Sequence, residues 1–227
     1  MSTLAAAGTA GPIGLAVFDL DGTITRRDTL LPFVLGLLLR RPWRLPGIVL
    51  FAALLVPFAL GQLDRGQLKS LLLRCTLRGL PRAAIESWTG RFVPRLLARG
   101  VHADALRQIA AHRRAGARLV LLSASTELYV PAIAQALGFD ETICTGVRWN
   151  GEYLDGHLTT ANRRGAEKVR CLESLRSRHP RLRTAAYGNA RSDLAHLQLC
   201  EEPWLVNGSA GARREAAALG IACIRWH

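Results

Sequence analysis

Val17-Phe18-Asp19-Leu20-Asp21-Gly22-Thr23-Ile24-Thr25 puts two carboxylates two residues apart, directly after the apolar run Ile13 to Phe18 and directly before a glycine. The apolar run predicts a buried strand, and Gly22 permits the tight turn that ends it. Such a turn brings the Asp19 carboxylate and the main-chain carbonyl of Asp21 toward one small cation, with magnesium the expected ion. Two carboxylates this close repel each other unless a cation neutralises them, which favours a site over surface decoration. On the residues alone, a metal site, an acid-base pair and a plain polar turn all stay open.

Working outward, residues 104–115 predict a helix with Leu106, Ile109 and Ala110 on one face, ended by Gly116 before the apolar strand 118–122. Tyr129 to Leu137 predicts another helix with Gly138 as its stop, and Asn150-Gly151 within 142–158 suits a tight hairpin turn. A helix over 167–176, a strand over 183–187, a helix over 193–199 and strands at 204–206 and 221–225 complete the pattern. Strands alternating with helices predict an α/β fold with a mostly parallel, doubly wound sheet. Its strand-end loops would gather Asp19, Asp21, Ser123, Asn189 and Asp193, where that fold normally places chemistry.

The DxDGT segment resembles the first motif of the haloacid dehalogenase-like phosphatases, and later landmarks follow in the family's order. Leu119-Val120-Leu121-Leu122-Ser123 resembles the strand ending in a phosphate-binding serine, Lys168 the phosphate-bridging lysine, and Gly188-Asn189-Ala190-Arg191-Ser192-Asp193 the acidic metal motif. The resemblance implies an aspartyl-phosphate mechanism with Asp19 as nucleophile and Asp21 as acid and base. It also implies phosphate contacts from Gly22, Thr23, Ser123 and Lys168, and a Mg2+ site drawn from Asp19, Asp21, Asn189 and Asp193. Ser123 equally suits a helix-capping role with Ser125, Thr126 and Glu127 after it, and Lys168 a solvated helix position with Arg163 and Arg164 as neighbours. Asn189 departs from the family pattern: it stands where a metal-binding Asp is usual, and a neutral carbonyl oxygen attracts a cation less than a carboxylate.

The 227 residues carry a formal net charge of +13. Between Arg26 and Arg99 thirteen basic residues meet three acidic ones, so most of the excess lies in one region. No Cys/His finger, aromatic sheet signature or dense basic helix accompanies it, so nucleic acid is not the expected partner; a phosphorylated substrate or an anionic membrane surface is. Five dispersed cysteines without a CxxC pair suggest neither a zinc cluster nor a disulfide scaffold, and a reducing cytoplasmic setting is expected. Residues 1–16 lack the basic start of a signal peptide. A Walker-type P-loop is missing as well, and the histidines have no metal-site spacing.

The expected layout is residues 1–27 as the first part of the core, 28–100 as a helical cap interrupted at Pro32, Pro42, Pro46, Pro57, Pro81 and Pro94, and 101–227 as the rest of the core. Leu45 to Leu63 holds nineteen uncharged residues behind Arg40, Arg41 and Arg44. A helix packed inside the cap, an interfacial helix and a spanning helix all fit that stretch, and Pro46, Pro57 and Gly61 argue against a continuous span. A cap in this place resembles the phosphoserine-phosphatase-like branch, and Asp28-Thr29 with its Leu-rich sequel resembles the branch containing bacterial phosphatidylglycerophosphatases. That resemblance implies phosphatidylglycerophosphate as substrate at the cytoplasmic side of a bacterial inner membrane. Phosphoserine or another small soluble phosphomonoester is the alternative, a noncatalytic binding protein of the same fold is a third reading that the departure at Asn189 leaves open, and Asp28, Arg65 and Arg74 are the candidates for substrate selection.

Overall fold

The computed structural model describes residues 11–227; residues 1–10 of the expected first core segment lie outside the described residues. β1 (Ile13–Phe18) runs at the centre of a sheet whose order is β3-β2-β1-β6-β7-β8, with β2 Arg118–Thr126, β3 Glu141–Thr145, β6 Arg183–Gly188, β7 Glu202–Val206 and β8 Ala222–Ile224. Every pairing in this sheet is parallel. The expected doubly wound α/β architecture is present.

Alternation along β1 explains its central place. Leu15 and Val17 enter one apolar cluster with Leu172, Leu175, Leu194 and Leu205, whereas Ala16 and Phe18 enter the other with Phe33, Ile109 and Leu121. A strand buried on both faces must be apolar throughout, which is why its first charged residue marks its end. Phe18 pairs in register with Leu121 and Tyr187, and its ring stacks on Tyr187 at 4.5 Å. Because β2 and β3 lie on one side of β1 and β6 to β8 on the other, the order in which strands are added reverses beside β1. The C-terminal ends of β1, β2 and β6 therefore face one crevice.

Between β1 and α6 (Ala103–Arg114) the chain makes α1 (Leu30–Leu38), a 3-10 turn at Pro42–Arg44, α2 (Pro46–Ala53), α3 (Leu55–Ala59), α4 (Arg65–Thr76) and α5 (Arg82–Arg99). Pro42 and Pro46 open helices, where a missing N–H costs nothing, and Pro81 caps α5. Pro94, expected to break the chain, sits inside α5. The ring of a helical proline presses on the residue four before it, and here that residue is Gly90, with open space where a Cβ would stand. α4 starts with a full capping box, Asp64 accepting from the Gln67 amide and Gln67 answering the Asp64 amide.

The hairpin β4 (Val147–Asn150) and β5 (Tyr153–Leu158) turns at Gly151 as the Asn-Gly pair predicts, and it leans on α4 rather than on the main sheet. Gly79 donates to the Leu154 carbonyl, and a Cβ on Gly156 would meet α4 backbone at 3.0 Å. α7 (Val130–Leu137), α8 (Ala166–Arg178), α9 (Leu194–Leu197) and α10 (Ala210–Ala218) cover the sheet. α10 has no counterpart among the expected elements. Ser209 starts it by accepting from the Ala212 amide, but Ala-Gly-Ala-Arg-Arg-Glu-Ala-Ala-Ala offers no apolar stripe.

Candidate active site

Asp19 follows the last residue of β1 and is tied to the sheet by its amide, which donates to the Tyr187 carbonyl at 2.9 Å. The turn behind it closes on Leu20, whose carbonyl accepts the amides of Thr23 and Thr25 and the Thr25 hydroxyl. Gly22 holds φ +80° there, and a Cβ would lie 2.0 Å from Asn189 Nδ2. Glycine is thus demanded both by conformation and by the close seating of Asn189.

The Asp19 carboxylate accepts from Lys168 Nζ at 2.6 Å on Oδ1 and from the Thr23 hydroxyl at 3.1 Å on Oδ2. Lys168, in the first turn of α8, also donates to Asp193 Oδ1 at 2.9 Å. The other oxygen of Asp193 accepts the amides of Asn189 and Ala190, so Asp193 fastens its own loop and steers Lys168. Gly188 leaves room for this, since a Cβ there would stand 2.7 Å from Asp193 Cβ. Both carboxylates and the ammonium are buried. Burial pushes Asp19 up to about 7 against the attraction of Lys168, with the Asp193 charge adding to the rise. Burial alone would raise Asp193 too, but Lys168 and the loop amides hold it down at about 2. Burial works against the Lys168 charge, and its two carboxylate partners outweigh it and raise the pKa.

Asp21 turns toward the cap. Its Oδ1 accepts the Thr29 amide at 2.8 Å and hydroxyl at 2.6 Å, and its Oδ2 accepts the Ser125 hydroxyl at 2.6 Å. Thr29 also meets Tyr129 Oη at 2.9 Å. Burial, then the charge of Asp28, raises the Asp21 pKa over the opposing hydrogen bonds. A carboxyl with a raised pKa is suited to carry a proton.

These groups open onto a cleft of ≈ 280 Å³ between sheet and cap, lined by Asp19, Asp21, Lys168, Asn189 and Asp193 from the core and by Arg65, Leu68, Lys69 and Leu72 from α4. Spacings of three, four and seven put those α4 residues on one face. Arg74 lies on another face, against Gly156 of β5, and does not line the cleft; of the three substrate-selecting candidates, Asp28 and Arg65 do. Asp28 has a structural task as well, since its Oδ1 accepts the Leu30 amide.

Several expected contacts sit differently. The Thr23 amide turns inward to the Leu20 carbonyl at 3.3 Å, so Thr23 steadies Asp19 with its hydroxyl instead of offering a phosphate donor. Ser123 is fully buried and its hydroxyl accepts the Ser125 amide, whereas Ala124 and Ser125 line the cleft. Asp193 accepts Lys168 on one oxygen and two loop amides on the other, which gives it a positioning role beside the nucleophile.

Lys69 escaped sequence reasoning. It donates from α4 to the Ala124 carbonyl and to Asn162 Oδ1, pinning cap to core, and burial lowers its pKa to about 8. A signal existed: the chain has only two lysines among its thirty basic residues, and both line this cleft.

Residues 16–198 match the family described as haloacid dehalogenase-like hydrolase. Protein CicA of Caulobacter vibrioides is 32% identical over 195 residues, covering 83% of each chain. A probable phosphatase of Mycobacterium tuberculosis is 30% identical over 212 residues, 90% of this chain and 72% of that protein. Among solved structures, a Bordetella pertussis protein of unknown function superposes with a TM-score of 0.80 at 21% identity, covering 94% of this chain and 99% of the other. A phosphoserine phosphatase carrying an analogue of its phospho-aspartyl intermediate superposes with a TM-score of 0.65 at 16% identity, covering 94% of both chains. The chain belongs to the haloacid dehalogenase-like hydrolases. At these identities the two solved structures speak for the fold alone.

Proposed function

We propose that the chain is a magnesium-dependent phosphomonoesterase that works through an aspartyl phosphate at Asp19 and acts on a small anionic phosphomonoester, with phosphoserine as the reference substrate. The observation that carries the chemistry is Lys168 Nζ, 2.6 Å from Asp19 in a buried cleft that also holds the proton-carrying Asp21. An Asp19 oxygen attacks phosphorus in line with the ester oxygen, and Lys168 offsets the charge gathering on the nucleophile and the phosphoryl oxygens. As the P–O ester bond breaks, Asp21 gives its proton to the leaving oxygen. Asp21 then takes a proton from the water that attacks the acyl phosphate, which returns Asp19 and frees inorganic phosphate.

The donor set fits magnesium. The Asp19 carboxylate, the Asp21 main-chain carbonyl and the Asn189 side-chain oxygen are hard oxygen ligands of the kind magnesium takes. Among the described residues no three His, Cys, Asp or Glu side chains surround one point, so the site would draw on the Asp21 carbonyl and the Asn189 amide oxygen beside the Asp19 carboxylate. Bound there, the ion would add positive charge at the phosphoryl oxygens. Asn189→Asp supplies a second anionic ligand, and the magnesium concentration for half-maximal activity is expected to fall roughly 10-fold. Titration of parent and variant checks this; equal requirements would remove Asn189 from the ligand set.

Asp28 on one wall and Arg65 with Lys69 on another present both signs of charge beyond the phosphate, which suits a zwitterionic leaving group such as serine. Phosphatidylglycerophosphate is a second reading, favoured by one feature: Leu30, Phe51, Leu68 and Leu72 give the same cleft an apolar wall. Phosphate release from phosphoserine, from the lipid in mixed micelles and from its deacylated headgroup, at matched concentration, separates the two. Turnover of phosphoserine well above the lipid is the expected order. Lipid preferred over both soluble compounds would transfer the assignment to the second reading, and no release from any phosphomonoester would end the enzymatic proposal.

A further inference from the structure

α2 and α3 stand out because their outward side is left uncovered. The window Pro42–Ala59 has a mean hydropathy of 1.6, and none of it is buried. A helix this apolar in a soluble core would be covered. Here Val49 is 73% exposed, Leu50 60%, Val56 63%, Leu60 68% and Trp43 71%. Large apolar side chains left exposed so close together in one segment mark an interaction site.

The opposite flank of α2 is firmly attached. A Cβ on Gly47 would lie 2.1 Å from the Cys75 carbonyl oxygen of α4, while Ile48 and Phe51 pack against the core and Phe51 reaches the catalytic cleft. With one flank against protein and the helix axis broken at Leu54, the segment does not span a bilayer. Eight residues of α2 reach about 12 Å against a hydrocarbon core of about 30 Å. A helix pair fixed on one side and apolar on the other lies in an interface.

Charge identifies the occupant. From Thr29 to Leu63 the chain has no acidic residue, and its three charges are Arg40, Arg41 and Arg44, grouped before α2. Arg44 is spent on the carbonyls of Thr76 and Arg78, and Arg40 lies over Trp88 with its side chain exposed. A second copy of the chain seated symmetrically on this face would bring these cations toward their own images, whereas anionic lipid headgroups complement them. We infer that the outward face of α2 and α3 docks on an anionic lipid surface, with Arg40 and Arg41 in the headgroup layer and Val49, Leu50, Val56 and Leu60 below it. The contact places the mouth of the catalytic cleft, through Phe51, beside the membrane. It stands independently of whether the phosphoserine or the lipid reading of the substrate holds.

Sedimentation of the full-length chain with phosphatidylcholine vesicles, with and without phosphatidylglycerol, tests the docking directly. Binding to the anionic vesicles, weakened by added salt and by neutral lipid, is expected. Arg40→Ser with Arg41→Ser should weaken partitioning about 30-fold at low salt, and Val49→Ser, Leu50→Ser, Val56→Ser and Leu60→Ser together should abolish it. Turnover of a soluble phosphomonoester, which none of these residues touches, reports that each variant is folded. A parent chain that stays in the supernatant with both vesicle types overturns the inference. So does vesicle binding undiminished in the fourfold variant, or a parent dimer in solution that the fourfold variant turns into monomer.

Discussion

Asp19→Asn lowers kcat by at least about 10^4-fold, because the amide cannot attack phosphorus and no neighbouring oxygen is placed to replace it. The fold should tolerate the exchange. Asn fills nearly the same volume, keeps one oxygen to accept from Lys168, can donate its amide N–H to the Thr23 hydroxyl oxygen, and leaves Lys168 its second partner in Asp193. The direction of the stability change follows from the raised pKa. A carboxyl held at about 7 in the folded chain, against 3.8 as its ordinary value, opposes folding increasingly as pH rises between those values. In magnesium-free buffer the variant should therefore melt at or above the parent temperature at neutral pH, and the difference should fade toward pH 4. A variant of unchanged turnover, or one that unfolds at neutral pH, contradicts this reading of the site.

Lys168→Met carries the second large effect, and it reaches stability as well as rate. The ammonium bridges two buried carboxylates, and removing one partner of a buried ion pair costs about 3–5 kcal/mol. For a chain of this size that is a fall in Tm of roughly 6–20 °C. Asp193, held at about 2 in the folded chain, contributes fully above its ordinary 3.8 and loses that contribution as pH falls through about 2. The gap between variant and parent is thus widest above about pH 4 and narrows in acid. Magnesium should restore part of the loss by neutralising Asp19, while activity stays depressed by about 10^2-fold or more without the cation on the nucleophile. Melting curves from acid to pH 8, with magnesium and with chelator, check both parts. Coincident parent and variant curves at neutral pH would show that the Lys168 bridge contributes nothing to the folded state.

The core was legible where sequence and physics coincide. The run from Ile13 to Phe18 must be a strand because both faces of a central parallel strand are buried, and the first carboxylate after it can only emerge at the strand end. Lys168 was legible through its order behind Asp19, although helical spacing alone reads it as solvated. Ser125 was not singled out, yet it stands two residues beyond Ser123, on the same side of an extended chain, and it rather than Ser123 faces the cleft. Charge alone does not separate Arg74 from Arg65, because the two lie on different faces of α4; Arg65, Leu68, Lys69 and Leu72 share the face that lines the cleft. Around α2 and α3 the sequence left three readings open for a physical reason. Apolar residues look the same in a chain whether they will pack inward or remain outside, and nothing in the sequence marks that Gly47 packs on α4 while Val49 and Leu50 stay exposed.

If phosphate passes through Asp19, the covalent intermediate can be trapped. Enzyme mixed with excess phosphomonoester and magnesium, quenched in acid, reduced with borohydride and digested, should yield the peptide containing Phe18-Asp19-Leu20 with residue 19 converted to homoserine. The conversion should require substrate and vanish in Asp19→Asn. Conversion at any other carboxylate, or turnover with rapid-quench samples that never carry phosphate on residue 19, would contradict the account.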